Sequence, residues 1–141
     1  MNRFPDVGKV RKAIAPAKPR READVKKVVI DWLTLHNYRF WRMNSGAIFT
    51  GKRLIQLHPP GTPDVLVIYR GLICDSYRED DAVYGHCILW LEIKRPLGPK
   101  GGTGGSEQSP EQVQFQREAE AAGERYAIIR SMDDLERVMR T

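Results

Sequence analysis

The chain has 141 residues, enough for one domain with a substantial core, and 41% of them are hydrophobic, an ordinary share for a globular fold. No apolar run approaches the roughly 18 residues of a membrane span, and the opening stretch MNRFPDVGKVRK lacks the apolar segment of a secretory signal. The formal charge is +5, from 23 basic and 18 acidic side chains, and the two cysteines, Cys74 and Cys87, are too few for a disulfide framework and read as reduced, buried thiols of a cytoplasmic protein.

The elements follow in chain order. Residues 1–19 read as a flexible basic arm, with Pro5, Pro16 and Pro19 and no periodic apolar face. A single domain is expected over 20–141. From about Arg20 to Asn37, Val25, Val28, Val29, Trp32, Leu33 and His36 recur at helical spacing, so His36 is expected to pack on the apolar face. Three short β signals follow at 38–43, 47–50 and 53–58, separated by turns at Asn44-Ser45-Gly46 and Gly51-Lys52. The loop PPGTP (59–63) leads into a buried strand, 64–69, and Arg70-Gly71 reads as a turn. The polar run 75–85 reads as an exposed excursion before a second buried strand, 87–94. Residues 96–109 form a Gly-rich loop, predicted to be flexible and unpacked. That loop lacks the Gly-Lys-Ser/Thr ending of a phosphate-binding loop, which argues against a nucleotide cofactor. Ser109-Pro110-Glu111-Gln112 starts a helix ending before Gly123, then come a strand at 125–130 and a helix at 132–140 capped by Ser131. The order predicts an α/β fold with a central mixed β-sheet flanked by helices.

Charge is unevenly spread along these elements. Residues 1–27 hold nine Lys/Arg against three acids, and residues 39–58 add Arg39, Arg42, Lys52 and Arg53 with no acid. Such clustering suits a polyanion such as DNA, although a solvated basic face has the same composition.

Four charged residues break their local pattern. In CILWLEIKRP (87–96), strand alternation puts Trp90, Glu92 and Lys94 on one side and Leu89, Leu91 and Ile93 on the other, so two charges end a core strand. Asp64 stands at the mouth of the strand 64–69. At about 100° per residue Glu22 falls between Val29 and Leu33, inside the apolar arc, while Lys26, Lys27 and Asp31 take the wet side. A buried carboxylate costs several kcal/mol, roughly, unless paired or metal-bound. A hard divalent ion such as Mg²⁺ meets that need with one or two carboxylates plus water and a substrate phosphate, and it polarises a phosphodiester toward hydrolysis. A lysine two residues past a ligand Glu can offset charge building on the phosphate.

These residues carry a resemblance. Pro63-Asp64 followed by Glu92-Ile93-Lys94, 28 residues after the Asp, looks like the signature of the PD-(D/E)XK nucleases. Residues 20–140 are more narrowly similar to the VRR-NUC (virus-type replication-repair nuclease) branch. Its first-helix Glu, Asn-x-Gly turn, Gly-x-Pro-Asp, Glu-x-Lys and following helical Gln fall on Glu22, Asn44-Ser45-Gly46, Gly61-Thr62-Pro63-Asp64, Glu92-Ile93-Lys94 and Gln112. The resemblance implies a restriction-endonuclease-like fold with an αβββαβ core, Mg²⁺ or Mn²⁺ dependence, and structure-selective cutting of branched DNA such as four-way (Holliday) junctions. It implies metal binding by Asp64, Glu92 and the backbone carbonyl of Ile93, with Glu22 acting through a water or second ion. Lys94 would orient the attacking water and Gln112 would position that water or Lys94. Arg39, Arg42, Asn44, Lys52, Arg53 and Lys26 are the candidates for DNA contact. A homodimer is expected, because one site must pair with another to cut two strands, in a bacterial or phage-encoded protein.

Blander readings stand beside these. Asp64 can be a turn residue, and Glu92 with Lys94 a structural ion pair. Glu22 can be an acid favouring a helix N-terminus, Gln112 the third-position member of a capping box, and Asn44 with Gly46 mere turn formers. A DNA-binding module that does not cut is the main alternative function.

Overall fold

The computed structural model describes residues 21–43, 46–74, 83–102, 104 and 106–140. The basic arm, Asn44 with Ser45, and most of the acidic run (75–82) lie outside the described residues.

Helix α1 (Glu22–Leu35) opens where the Asp24 carboxylate accepts from the Arg21 backbone N–H at 3.1 Å. Its buried residues Val25, Val29 and Leu33 recur every four positions and form one stripe. Asn37, at φ 58, turns the chain out of the helix in the left-handed conformation that Asn tolerates. Strand β1 (Arg39–Arg42) follows, then β2 (Ala47–Phe49), β3 (Leu54–Gln56), β4 (Val65–Cys74) and β5 (Val83–Ile93). Helix α2 (Pro110–Ala121), strand β6 (Arg125–Ile129) and helix α3 (Met132–Arg140) complete the order.

The main sheet runs β1-β4-β5-β6, with β1, β4 and β5 antiparallel and β6 parallel to β5. With its helices it reads α1-β1-β4-β5-α2-β6-α3, a mixed α/β fold. Strands β2 and β3 stay out of this sheet and pair only with each other.

One sheet face carries the core. Val65, Val67, Leu89, Leu91, Ile93 and Ile129 meet Val25, Val29 and Leu33 of α1 and Leu135 of α3, all essentially inaccessible. Each such side chain contributes about 1.5–3 kcal/mol of burial free energy. Helix α2 covers the opposite face. Its Phe115 meets Trp90 edge-on at 5.0 Å and lies 6.5 Å from Tyr126. The Trp90 indole N–H donates to Glu124 at 2.6 Å, so the half-buried ring keeps a polar partner.

Several sequence expectations change. Arg70-Gly71 does not turn the chain; β4 passes through it to Cys74, and β5 begins four residues before position 87. Gly71 serves close packing: a Cβ there would sit 2.9 Å from the Tyr69 ring and 3.1 Å from Cys87 Sγ. The six-residue β signal at 53–58 shrinks to the three residues of β3. His36 is exposed; its ring stacks on Trp32 at 3.9 Å on the surface rather than packing in the core. Cys87 is half-buried. The Gly-rich loop is held at its ends, because the Arg130 guanidinium donates to the carbonyls of Arg95 (2.9 Å) and Ser106 (2.5 Å). Ser131 caps α3 as expected, accepting from the Asp134 N–H at 3.2 Å. No helix among the described residues is long and apolar enough to cross a membrane.

Candidate active site

Asp64 lies one residue before β4, Glu92 is the penultimate residue of β5, and Lys94 lies one residue past its end. The β4/β5 register opposes Val65 to Leu91, so the antiparallel pairing delivers Asp64 and Glu92 to the same sheet end. The Met43 N–H donates to the Asp64 carbonyl at 2.8 Å, which extends the β1/β4 ladder, and the Ile93 N–H donates to Asp64 Oδ2 at 2.9 Å. Ile93 therefore meets Asp64 through its N–H, a contact distinct from the carbonyl ligation that the resemblance implies. On the other side, the Lys94 N–H donates to the Ile129 carbonyl at 2.9 Å, so the strand end is fixed from both neighbours.

The preceding loop is equally fixed. Pro63 is fully buried, and the Thr62 hydroxyl donates to the Pro59 carbonyl at 2.8 Å. Gly61 has φ +86, and a Cβ there would collide with the Glu111 backbone carbonyl in the first turn of α2. The loop that presents Asp64 thus rests directly on the helix turn that presents Gln112.

The buried pair is the centre of the site. Glu92 is 3% and Lys94 8% exposed, and Lys94 Nζ lies 3.0 Å from Glu92 Oε1. Gln112 joins both: its amide nitrogen donates to Glu92 Oε1 at 2.6 Å, and its Oε1 accepts from Lys94 Nζ at 3.0 Å. That same oxygen accepts the Ser109 N–H at 2.9 Å, while Ser109 Oγ accepts the Gln112 N–H at 3.3 Å. The capping box and the site partner are one residue with two jobs; the helix cap holds the amide at the ion pair.

Electrostatics make this end unusual. Glu92 is pushed up to about 7 from 4.5, first by burial and then by the Asp64 charge, against the pull of Lys94; the Glu22 charge adds a smaller push. Tyr126, half-buried beside α2, is raised to about 12, mainly by its partial burial. Each carboxylate has an ammonium partner: Lys94 at Glu92, and Lys26 in an ion pair with Asp64 Oδ1.

Two expectations about α1 change here. Glu22 is exposed. It sits at the right angle on the wheel, but in the first residue of α1, where the apolar stripe has not yet begun. Lys26 is half-buried and inside the site instead of on the wet side. The signal was present: Lys26 follows Glu22 by four residues, so any spacing that aims Glu22 at the site aims Lys26 there too. Lys26 also lines a cleft of about 360 Å³ with Ala23, Lys27, Ile30, Asp31 and Arg42. Arg39, with its guanidinium over the Trp41 ring at 4.9 Å, and Arg42, Lys52 and Arg53 are exposed.

Among the described residues no three His, Cys, Asp or Glu side chains are grouped to hold a metal ion. The donor set is two carboxylates, Asp64 and Glu92, with exposed Glu22 beyond them. Two carboxylates fit a hard cation such as Mg²⁺, which completes its shell with water and phosphate oxygens. The Asp64 charge contributes to the rise at Glu92, a repulsion that a bound cation would offset. A buried lysine beside the two carboxylates, held by an amide, has the chemistry to donate to an anion that reaches it. Comparison of the chain with family models, curated proteins and solved structures gives no match in any of the three.

Proposed function

We propose that this protein is a metal-dependent DNA endonuclease with a restriction-endonuclease-like fold, of the VRR-NUC type, acting on branched DNA. The observation that carries the reading is the Glu92–Lys94–Gln112 network, buried at the strand ends beside Asp64. The αβββαβ order of the main sheet and its helices supports the same reading. A sheet that needed only a pin would not bury a carboxylate whose proton affinity is raised toward neutrality, since a well-packed apolar pair is at least as stable.

Asp64 and Glu92 would hold the Mg²⁺ or Mn²⁺ ion. When bound, the ion supplies Lewis-acid polarisation of the scissile phosphate. Lys94 donates to the oxygen on which negative charge develops, and Gln112 fixes its ammonium so that no reorientation is required during reaction. Lys26 occupies Asp64 without substrate and turns to a phosphate oxygen when the backbone enters, so one cation serves both states. Arg39, Arg42, Lys52 and Arg53 contact phosphates, which position the duplex without reading its sequence. A homodimer supplies the second site for the second strand.

The experiment is cleavage of labelled linear duplex, single strand, 5′ flap and four-way junction, each with Mg²⁺, Mn²⁺ or EDTA, by wild type and Lys94→Ala. Metal-dependent cutting that is lost in Lys94→Ala supports the proposal. Binding without cutting in every arm overturns it and leaves a DNA-binding module.

A further inference from the structure

Strands β2 and β3 form a hairpin whose polarity makes no sense for an isolated element in water. Its register pairs Phe49 with Leu54 and Ile48 with Ile55. Strand alternation sends the first pair to one face and the second pair to the other. Phe49 is 70% exposed, Leu54 67%, Ile48 52% and Ile55 46%. Both faces are therefore apolar and open, and a lone two-stranded hairpin is marginal in water.

Three observations say what covers it. The first is charge: residues 46–57 carry Lys52 and Arg53 beside the turn and no acid. There Gly51 takes φ +82, and the Thr50 N–H donates to the Arg53 carbonyl at 3.0 Å. The second is place. The Leu57 N–H closes the hairpin base on the Gly46 carbonyl at 3.2 Å, and Gly46 is three residues from Met43, which is bonded to Asp64. Three residues span at most about 10 Å, so the hairpin springs from the edge of the candidate active site. The third is two-sidedness. An element that lies on a flat partner needs one apolar face. Two apolar faces back to back fit a gap with two apolar walls, and parted base pairs offer such walls under a phosphate rim.

We propose that hairpin 46–57 is a wedge that enters DNA at a branch point, with Phe49 and Leu54 against one set of unstacked bases and Ile48 and Ile55 against the other. Lys52 and Arg53 hold the phosphates beside the opening. The choice of DNA as occupant rests on the nuclease reading above. The wedge favours branched over linear DNA because bases at a junction are already partly unstacked, whereas an intact duplex must be opened first.

The test uses the full chain in EDTA, so nothing is cut, with 2-aminopurine at the centre of a four-way junction. Wild type should raise its fluorescence and bind the junction more tightly than linear duplex. In Phe49→Ser/Leu54→Ser the rise should vanish and junction affinity should fall about 10-fold, with linear-duplex affinity retained. Thermal melting of the variant checks that the fold is intact. A double variant that still unstacks and discriminates like wild type overturns the wedge. So does a change in light-scattering mass from dimer to monomer, which would make a second copy the occupant. The two proposals fail separately. A Phe49-dependent fluorescence rise without cutting in Mg²⁺ keeps the wedge and removes the nuclease. Cutting without a rise does the reverse.

Discussion

The end of β4 and β5 buries charge, whereas the β2–β3 hairpin exposes apolar side chains. The two inversions are joined by a few residues of chain, yet they are resolved differently. At the buried end each charge meets a partner from another element: Glu92 of β5 and Lys94 just after it meet Gln112 of α2, and Asp64 before β4 meets Lys26 of α1. Because these cross-element partners lie far apart in sequence, the network exists only in the folded chain, and its geometry is set before any ligand arrives. The hairpin's apolar pairs face solvent on both sides and gain nothing comparable from the fold. Preorganised chemistry satisfies itself internally, whereas an interaction surface leaves the satisfying to its partner.

The largest effect falls on the buried end. Lys94→Ala should lower cleavage by about 10²–10³-fold, the cost of one preorganised donor, measured as single-turnover rate with Mg²⁺. Its stability cost should also depend on pH. Removing Lys94 takes away a group that lowers the Glu92 pKa, so the carboxyl keeps its proton to higher pH. The variant should therefore be close to wild type at pH 5 and clearly weaker at pH 8. Full activity in Lys94→Ala would reduce the pair to a structural pin.

A second test is the pH dependence of stability without metal. Glu92 titrates near 7 when folded and near 4.5 when unfolded, so the folded state holds the extra proton between these values. Stability from this group is present below about pH 4.5 and is lost as pH rises to about 7, by roughly 3 kcal/mol at most. Urea unfolding in EDTA across pH 5 to 8 measures it, and Glu92→Gln should flatten the curve. Magnesium should act oppositely, raising the melting temperature more at pH 8 than at pH 5.5, because it binds the ionised carboxylate. No magnesium effect at pH 8 would count against a metal site.

Gln112 separates the cap from the site. Gln112→Ala removes the amide from Ser109, Glu92 and Lys94 together and should cost about 1–2 kcal/mol of stability with about 10-fold in rate. Gln112→Glu keeps an acceptor for the Ser109 N–H but brings a third carboxylate toward Glu92 and Asp64. It should preserve the helix cap yet raise the Glu92 pKa further, shifting the activity profile to higher pH. Equal behaviour of the two variants would mean that the residue only caps α2.

How much of this was legible in the sequence follows the range of the forces involved. Alternation in CILWLEIK and the Ser-Pro-Glu-Gln start are local patterns; they located the C-terminal end of β5 and the start of α2 nearly to the residue, while β5 begins four residues before position 87. Period two puts Glu92 and Lys94 on the face that Trp90 shares; their burial comes from α2, which covers that face with Gln112 and Phe115. Gly71 misled because a glycine needed for close packing carries the same letter as one needed for a turn. Glu22 misled because a helical wheel gives angle but not height along the axis, and the first turn of α1 lies beyond the core. The helical wheel puts Lys26 on the wet side and cannot show its Asp64 partner, 38 positions away; the spacing of four from Glu22 is the one local pattern that points it to the site. Nor could periodicity show that β2 and β3 leave the main sheet, since their apolar residues are as β-prone as those of β4.

The smallest predicted effect is the one that tests the comparison most directly. Phe49→Ser removes a large apolar side chain, and in a core such a change costs about 3–5 kcal/mol. On the hairpin, where Phe49 is 70% exposed, it should change unfolding free energy by no more than about 0.5 kcal/mol. Leu91→Ala, at an inaccessible position facing α1, serves as the control and should cost about 2–5 kcal/mol. The two variants carry similar hydrophobic losses, so the difference isolates what the fold does with each side chain. If Phe49→Ser proves as costly as Leu91→Ala, and the cost grows with protein concentration, the hairpin is buried against a second copy and its exposure in the single chain is incidental. If the cost is near zero at every concentration, the apolar hairpin is maintained for something other than folding, and the partner it waits for lies outside the chain.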